Sequence, residues 1–143
     1  MTNIDLNITT EINASTAKVW DALINPDQIK KYLFGTQTHC DWKVGSPIRF
    51  TGEWEGKSYE DKGTIIAIEK ETILSYDYWS NFSGVPDVPE NYQIVTFRLD
   101  NDKGKTQLSL TQQNIRSEET KSHSEENWKM VLNSLKELVE KGS

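Results

Sequence analysis

The chain has 143 residues, an ordinary length for one domain, and folding at that size removes about two-thirds of the extended surface from water. Its 22 acidic residues against 16 Lys and Arg leave a formal charge of −6, which argues against nucleic acid or an anionic membrane as a partner, because both demand a basic footprint. Hydrophobic content is only 35%, yet five Trp, five Tyr and four Phe carry much of it in large rings, so a few side chains do much of the packing.

No basic stretch followed by an apolar run opens the sequence, and no eighteen apolar residues follow one another, so a cytoplasmic protein is expected. The single Cys40 cannot form an internal disulfide, in keeping with a reducing compartment. The sequons at Asn7, Asn13 and Asn81 are then read as chance.

In chain order, Ile4, Leu6, Ile8, Thr10 and Ile12 fall on every second residue, the period of a strand with one face buried. Ser15 is placed to cap a helix carrying Val19, Trp20, Leu23 and Ile24, which Asn25-Pro26 interrupts. Pro26 suits the first turn of a second short helix over about Asp27 to Tyr32. From Thr36 to Gln113 the pattern changes to short runs rich in Thr, Tyr, Ile and Trp, broken by Gly, Pro, Asn and Asp. Six further strands are predicted near 36–42, 47–54, 58–69, 73–79, 91–99 and 105–113. Four of them carry an alternating apolar face: Ile48/Phe50/Trp54, Leu74/Tyr76/Tyr78, Val95/Phe97/Leu99 and Leu108/Leu110. Those faces should point the same way. Turns are expected at 44–47, 54–57 and 101–104, where Gly is available for positive φ, and the 83–90 segment is expected to form a loop.

Arg116 to Ser124 is read as a polar connector. Trp128, Val131, Leu132, Leu135, Leu138 and Val139 then fall on one helical stripe. Ser122 with Glu125 has the spacing of a capping box, and Lys136 and Lys141 lie late, where the helix dipole favours cations. The fold class expected is α+β: a curved antiparallel sheet of about seven strands around a long C-terminal helix, with two short helices after strand one. Residues 1–143 are read as one domain.

Three stretches narrow this further: Ile12-Asn13-Ala14-Ser15 with Val19-Trp20-Asp21-Ala22-Leu23; Asp41-Trp42-Lys43-Val44-Gly45-Ser46 running on to Gly52-Glu53-Trp54; and Asn127-Trp128 with Leu132 and Leu135. With Asp61-Lys62-Gly63 and Leu74-Ser75-Tyr76, they resemble the family of homologues of the activator of the ninety-kilodalton heat-shock protein ATPase. That family lies in the START/SRPBCC superfamily with the birch-pollen-allergen-like proteins. The resemblance covers nearly the whole chain and implies the helix-grip fold. It implies either a stand-alone ligand-binding domain or a co-chaperone-type module whose partner is a chaperone or other protein, and it constrains function weakly.

His39-Cys40-Asp41 is the one place where three potential metal ligands adjoin, but on a strand the middle residue points away from the other two. No metal or other cofactor is expected. Two histidines leave few nucleophile–base pairs, and no Gly-rich phosphate loop is present. Glu53, Glu60 and Asp61 offer paired carboxylates, which are read as solvated outer-face residues. A non-catalytic protein is therefore expected, with a cyclase or dehydratase activity of the superfamily kind as the minor alternative.

The rings are more informative. Phe34, Trp42, Phe50, Trp54, Tyr59, Tyr76, Tyr78, Tyr92, Phe97 and Trp128, with Leu132 and Leu135 of the last helix, are spread over most elements, and in a grip fold many must converge between sheet and helix. Each is first of all a core residue. As a group they suggest a cavity for a small hydrophobic or aromatic molecule, with tyrosine hydroxyls supplying orientation.

Overall fold

The computed structural model describes residues 4–33, 35–54, 56–80, 85–115 and 117–141, and of Trp54 only the backbone. Phe34, the Asn81 sequon and the first two residues of the 83–90 loop lie outside the described residues. Chain order is β1 (Ile4–Ile12), α1 (Thr16–Ile24), α2 (Pro26–Tyr32), β2 (Gln37–Cys40), β3 (Pro47–Trp54), β4 (Lys57–Glu69) and β5 (Ile73–Ser80). A single 3-10 turn (Pro89–Asn91), β6 (Gln93–Asp102), β7 (Lys105–Ile115) and α3 (Glu118–Lys141) follow. The seven strands form one sheet in the order β1-β7-β6-β5-β4-β3-β2, with every neighbouring pair antiparallel. This is the α+β architecture that the periodicity predicts.

Local chemistry sets the element ends. Ser15 Oγ accepts from the Lys18 N–H at 3.3 Å, and Asn25 serves two helices at once. Its N–H donates to the Asp21 carbonyl as α1 stops, while its Oδ1 accepts from Asp27 N–H at 3.0 Å as α2 begins. Pro26 follows at a position where no donor is needed. Between β6 and β7 a two-residue loop places Lys103 at φ 54° and Gly104 at φ 87°, the paired positive angles whose twist matches a hairpin.

β6 starts two residues later and ends three later than expected and β7 ends two later, and two further boundaries differ for a visible reason. β2 stops at Cys40 rather than running to Trp42, because Trp42 adopts φ 58° and its N–H turns back to the Cys40 Sγ at 3.2 Å. α3 begins at Glu118, inside the expected connector. Ser117 caps it, its Oγ accepting from Thr120 N–H at 3.1 Å and its carbonyl from Lys121 N–H at 3.0 Å, so Ser122 is an interior helix residue and no cap.

β4 is the longest strand, with 13 residues, and it cannot stay straight. At Gly63 the backbone of β5 comes so close that a Cβ would run into the Asp77 carbonyl oxygen, and the pairing shifts between Ile65 and Ala67. Such a bulge bends a strand and strengthens its twist. The sheet therefore curls, and its concave face receives the α3 stripe. Val131, Leu132, Leu135 and Val139 are buried there with Ile48, Leu74, Val95, Phe97, Leu99, Leu108 and Leu110. The C-terminal half of α3 is tied to the end of β1, with Lys136 Nζ donating to the Glu11 carbonyl at 2.8 Å and Asn13 N–H donating to Glu140 Oε2 at 2.8 Å. Lys136 thus reaches across to β1 and to Glu140, at 2.9 Å.

Candidate functional site

The space between sheet and helix divides into two parts. Deep inside, Leu23, Ile29, Leu74, Phe97, Leu132 and Leu135 close around a void of about 30 Å³, the scale of a water molecule or two. Toward the N-terminal half of α3 the walls part into a groove of about 260 Å³, just below the usual range of small-molecule pockets, roughly 300–1,000 Å³. Leu33, Phe50, Tyr76, Trp128 and Val131 line both spaces, so the groove is the open end of the core.

Strand register builds the groove walls. Phe50 of β3 is paired with Asp61 of β4, and Asp61 with Ser80 of β5, which sets Asp61 beside Phe50 on the concave face. Tyr59, two residues earlier on the same face, is paired with Gly52. A side chain at Gly52 would meet the Tyr59 ring and hydroxyl, so the glycine is what lets that ring lie across β3. The hydroxyl of Tyr59 is held against that of Thr36, another lining residue.

A buried polar layer fixes the rings on the far side. Gln112 is fully buried; its Oε1 accepts from Trp128 Nε1 at 2.7 Å, and its Nε2 donates to the Tyr78 hydroxyl at 3.0 Å and to Gln93 Oε1. Tyr78 donates in turn to Gln93 Oε1 at 2.9 Å. This closed circuit leaves the Tyr78 hydroxyl committed and holds both rings in place. Tyr76 is different. It is 7% exposed and packs against Phe50 at 5.7 Å, Tyr78 at 6.4 Å and Phe97 at 6.5 Å between ring centroids, but its hydroxyl has no hydrogen-bond partner among the described residues.

The electrostatics of the groove are one-sided. Among its described lining residues are two carboxylates, Asp61 and Glu53, and no Lys, Arg or His. The ion pairs among the described residues join Arg49 to Glu60, Lys62 to Asp87, Lys105 to Glu11 and Lys136 to Glu140, which leaves Asp61 without a cation there. Burial raises the Asp61 carboxyl above its ordinary range, and a hydrogen bond from Ser80 offsets only part of that. Burial likewise drives the Tyr76 and Tyr78 hydroxyls up.

Of the side chains named from the sequence, Phe50, Tyr59, Tyr76, Tyr78 and Trp128 line the groove. Trp42, Phe97, Leu132 and Leu135 line the deep void instead. Tyr92 lies just before β6, at the end of the 3-10 turn, rather than on the expected strand; its hydroxyl donates to Asp87 Oδ1 at 2.6 Å, and that bond pushes its pKa up to about 12. Phe34 and the Trp54 side chain lie outside the described residues. Asp61 corrects the reading of the three carboxylates as outer-face groups. Glu60 is exposed and paired with Arg49, but Asp61 faces inward. Counting back by twos from the buried Ile65 through Gly63 reaches both Asp61 and Tyr59, a signal that the polar run 57–62 hides. Thr36, Gln112 and Asn127 were likewise not named as site residues. Among the described residues no three His, Cys, Asp or Glu lie close enough together to hold a metal ion, and no helix is long and apolar enough to cross a membrane.

A seven-stranded antiparallel sheet curled over a C-terminal helix, with two short helices after the first strand, defines a helix-grip domain. The chain belongs to the family described as Activator of Hsp90 ATPase homolog 1-like protein, whose model matches residues 13–140. Among solved structures it is similar to ChR145 of Cytophaga hutchinsonii, with 46% identity and a TM-score of 0.85 over 97% of this chain and 95% of that one. The Aha1 dimer of Colwellia psychrerythraea is 21% identical, with a TM-score of 0.77 over 96% of each chain. CalU16 of Micromonospora echinospora is 21% identical, with a TM-score of 0.76 over 94% of this chain and 75% of that one. At those two identities the likeness is one of fold. No curated protein matches the chain in sequence.

Proposed function

We propose that the chain is a non-catalytic binding domain that takes a small aromatic molecule into the groove between β3–β5 and the first half of α3. The observation that carries this reading is the groove itself: about 260 Å³, walled by rings that the Gln112 circuit and Gly52 hold in place, with the Tyr76 hydroxyl unpartnered inside it. Rigid rings give apolar contact area at little entropic cost, and a few polar groups orient the ligand.

The test is a thermal-shift screen of flavonoids, aromatic polyketides and fatty acids, followed by titration of each hit against Asn127→Trp. Asn127 is an exposed residue at the groove rim, so the substitution fills the groove without touching the core. Saturable binding that this variant abolishes supports the reading; hits that bind it equally well overturn it. The family's description favours a second reading, a co-chaperone-type module that docks a chaperone. Stimulation of a chaperone ATPase that survives Asn127→Trp would favour that reading over the groove.

A further inference from the structure

Resting on the groove as the binding site, we propose that its preferred ligands are cationic: aromatic molecules bearing an ammonium group, held between the Asp61 carboxylate and the surrounding ring faces. Three independent observations converge on this charge.

The first is the lining. Asp61 and Glu53 are its ionisable groups apart from the tyrosines, and no described residue there carries positive charge. An anionic ligand such as a fatty acid would meet two carboxylates inside a chain of net charge −6, a repulsion that strengthens as water is displaced. The second is the state of Asp61 itself. It faces the concave side beside Phe50, half-buried, with the Ser80 hydroxyl as its hydrogen-bond partner and no cation among the described residues. A neutral ligand seated over it would strip away remaining water and return at most a hydroxyl donor without charge, whereas an ammonium group supplies both charge and several N–H donors.

The third observation is the arrangement of rings. Phe50 and Tyr76 meet at 5.7 Å and 47°, and Trp128 stands nearly perpendicular to Phe97 at 5.9 Å and 80°. Phe50, Tyr59, Tyr76 and Trp128 all line the groove, and none of the ring contacts among the described residues is a face-to-face stack, so ring surface is left to meet a ligand. A cation within about 6 Å of such faces is attracted by the ring quadrupoles, most strongly by Trp. The unpartnered Tyr76 hydroxyl adds a second polar contact, and exposed Glu53 at the rim draws cations toward the opening.

Three probes of nearly equal shape separate charge from shape: tryptamine (cationic), tryptophol (neutral) and indole-3-propionate (anionic), titrated at neutral pH and physiological salt. Wild-type protein should bind tryptamine about tenfold or more tightly than tryptophol, as expected for one desolvated charge contact with ring support, and should bind indole-3-propionate most weakly. In Asp61→Asn the tryptamine preference should collapse while tryptophol binding is kept. Asp100→Asn, an exposed residue of β6, makes the same change in net charge and should leave the preference intact. Equal binding of tryptamine and tryptophol by the wild type, which needs no variant to fold, overturns the charge selection and leaves the groove reading standing. A preference that survives Asp61→Asn also overturns it. If no probe and no flavonoid, polyketide or fatty acid binds, the groove reading falls and this inference falls with it.

Discussion

The two ends of the space under α3 share Leu33, Phe50, Tyr76, Trp128 and Val131 in their lining yet come out differently. At the deep end, aliphatic side chains from α1, α2, α3 and the sheet interdigitate until about 30 Å³ is left. At the groove end, rings and hydrogen-bonded polar groups line about 260 Å³. Leu, Ile and Val fill the deep end because their rotamers adapt to one another. The groove persists because its rings are pinned: Trp128 and Tyr78 to the Gln112 circuit behind it, and Tyr59 to Thr36 on its wall and against the bare backbone of Gly52. A core closes where side chains can move toward each other and stays open where they are tied back.

Several measurements would break or sharpen that contrast. The largest effect is expected at the deep end: Leu135, 1% exposed, has neighbours already in contact all round, so Leu135→Ala should cost about 2–5 kcal/mol in denaturant unfolding. A loss under about 0.5 kcal/mol would mean that the deep end is as loose as the groove. Next comes the polar layer. Tyr78→Phe removes two hydrogen bonds, one from Gln112 Nε2 and one to Gln93 Oε1, and should cost about 1–3 kcal/mol, whereas Tyr76→Phe removes an unpartnered hydroxyl and should change stability by less than about 0.5 kcal/mol. If the two variants are equal in denaturant, the Gln112 circuit does not pin the groove.

A smaller effect of opposite sign is expected at Asp61. Its carboxyl is raised in the folded protein, so the folded state binds the proton more tightly than the unfolded chain does. The stability that this provides is full below the ordinary Asp pKa of about 4 and is lost as pH rises through the folded value. Asp61→Asn should therefore raise the melting temperature by a few degrees at neutral pH, with the gain vanishing in acid. A variant that melts lower at pH 7 would show that the carboxylate is well solvated. The smallest effect expected is none: exhaustive chelation should leave the melting temperature unchanged, and a drop would place a metal where neither end of the core has been assigned one.

The deep end and the rings of the groove were legible in the sequence, while the start of α3 and Asp61 were not, for a physical reason. Val19, Leu74, Leu110, Leu132 and Leu135 sit on strict periods, and period is the record that burial leaves. The start of α3 left no such record, since residues 118–127 include no buried side chain and Ser117 caps a stretch that periodicity alone reads as a connector. Asp61 was hidden differently. Charged residues are mostly outside, and the alternation that places it inside is interrupted by Gly63, which carries no side chain because β5 passes too close. Tyr92 shows the converse: an aromatic residue beside a strand does not disclose whether it belongs to it, and this one ends a 3-10 turn and bonds to Asp87.

The uneven fastening of α3 has a kinetic meaning. Its last two turns are moored to β1 through Lys136 and Glu140, and its buried stripe begins at Val131, while the turns above the groove rest on Trp128. Opening free energies follow burial, so amides in 118–127 should trade their protons for solvent deuterons well before those in 131–141. A visitor to the groove then meets the part of the helix that yields at the least cost, and the sheet need not move to admit it.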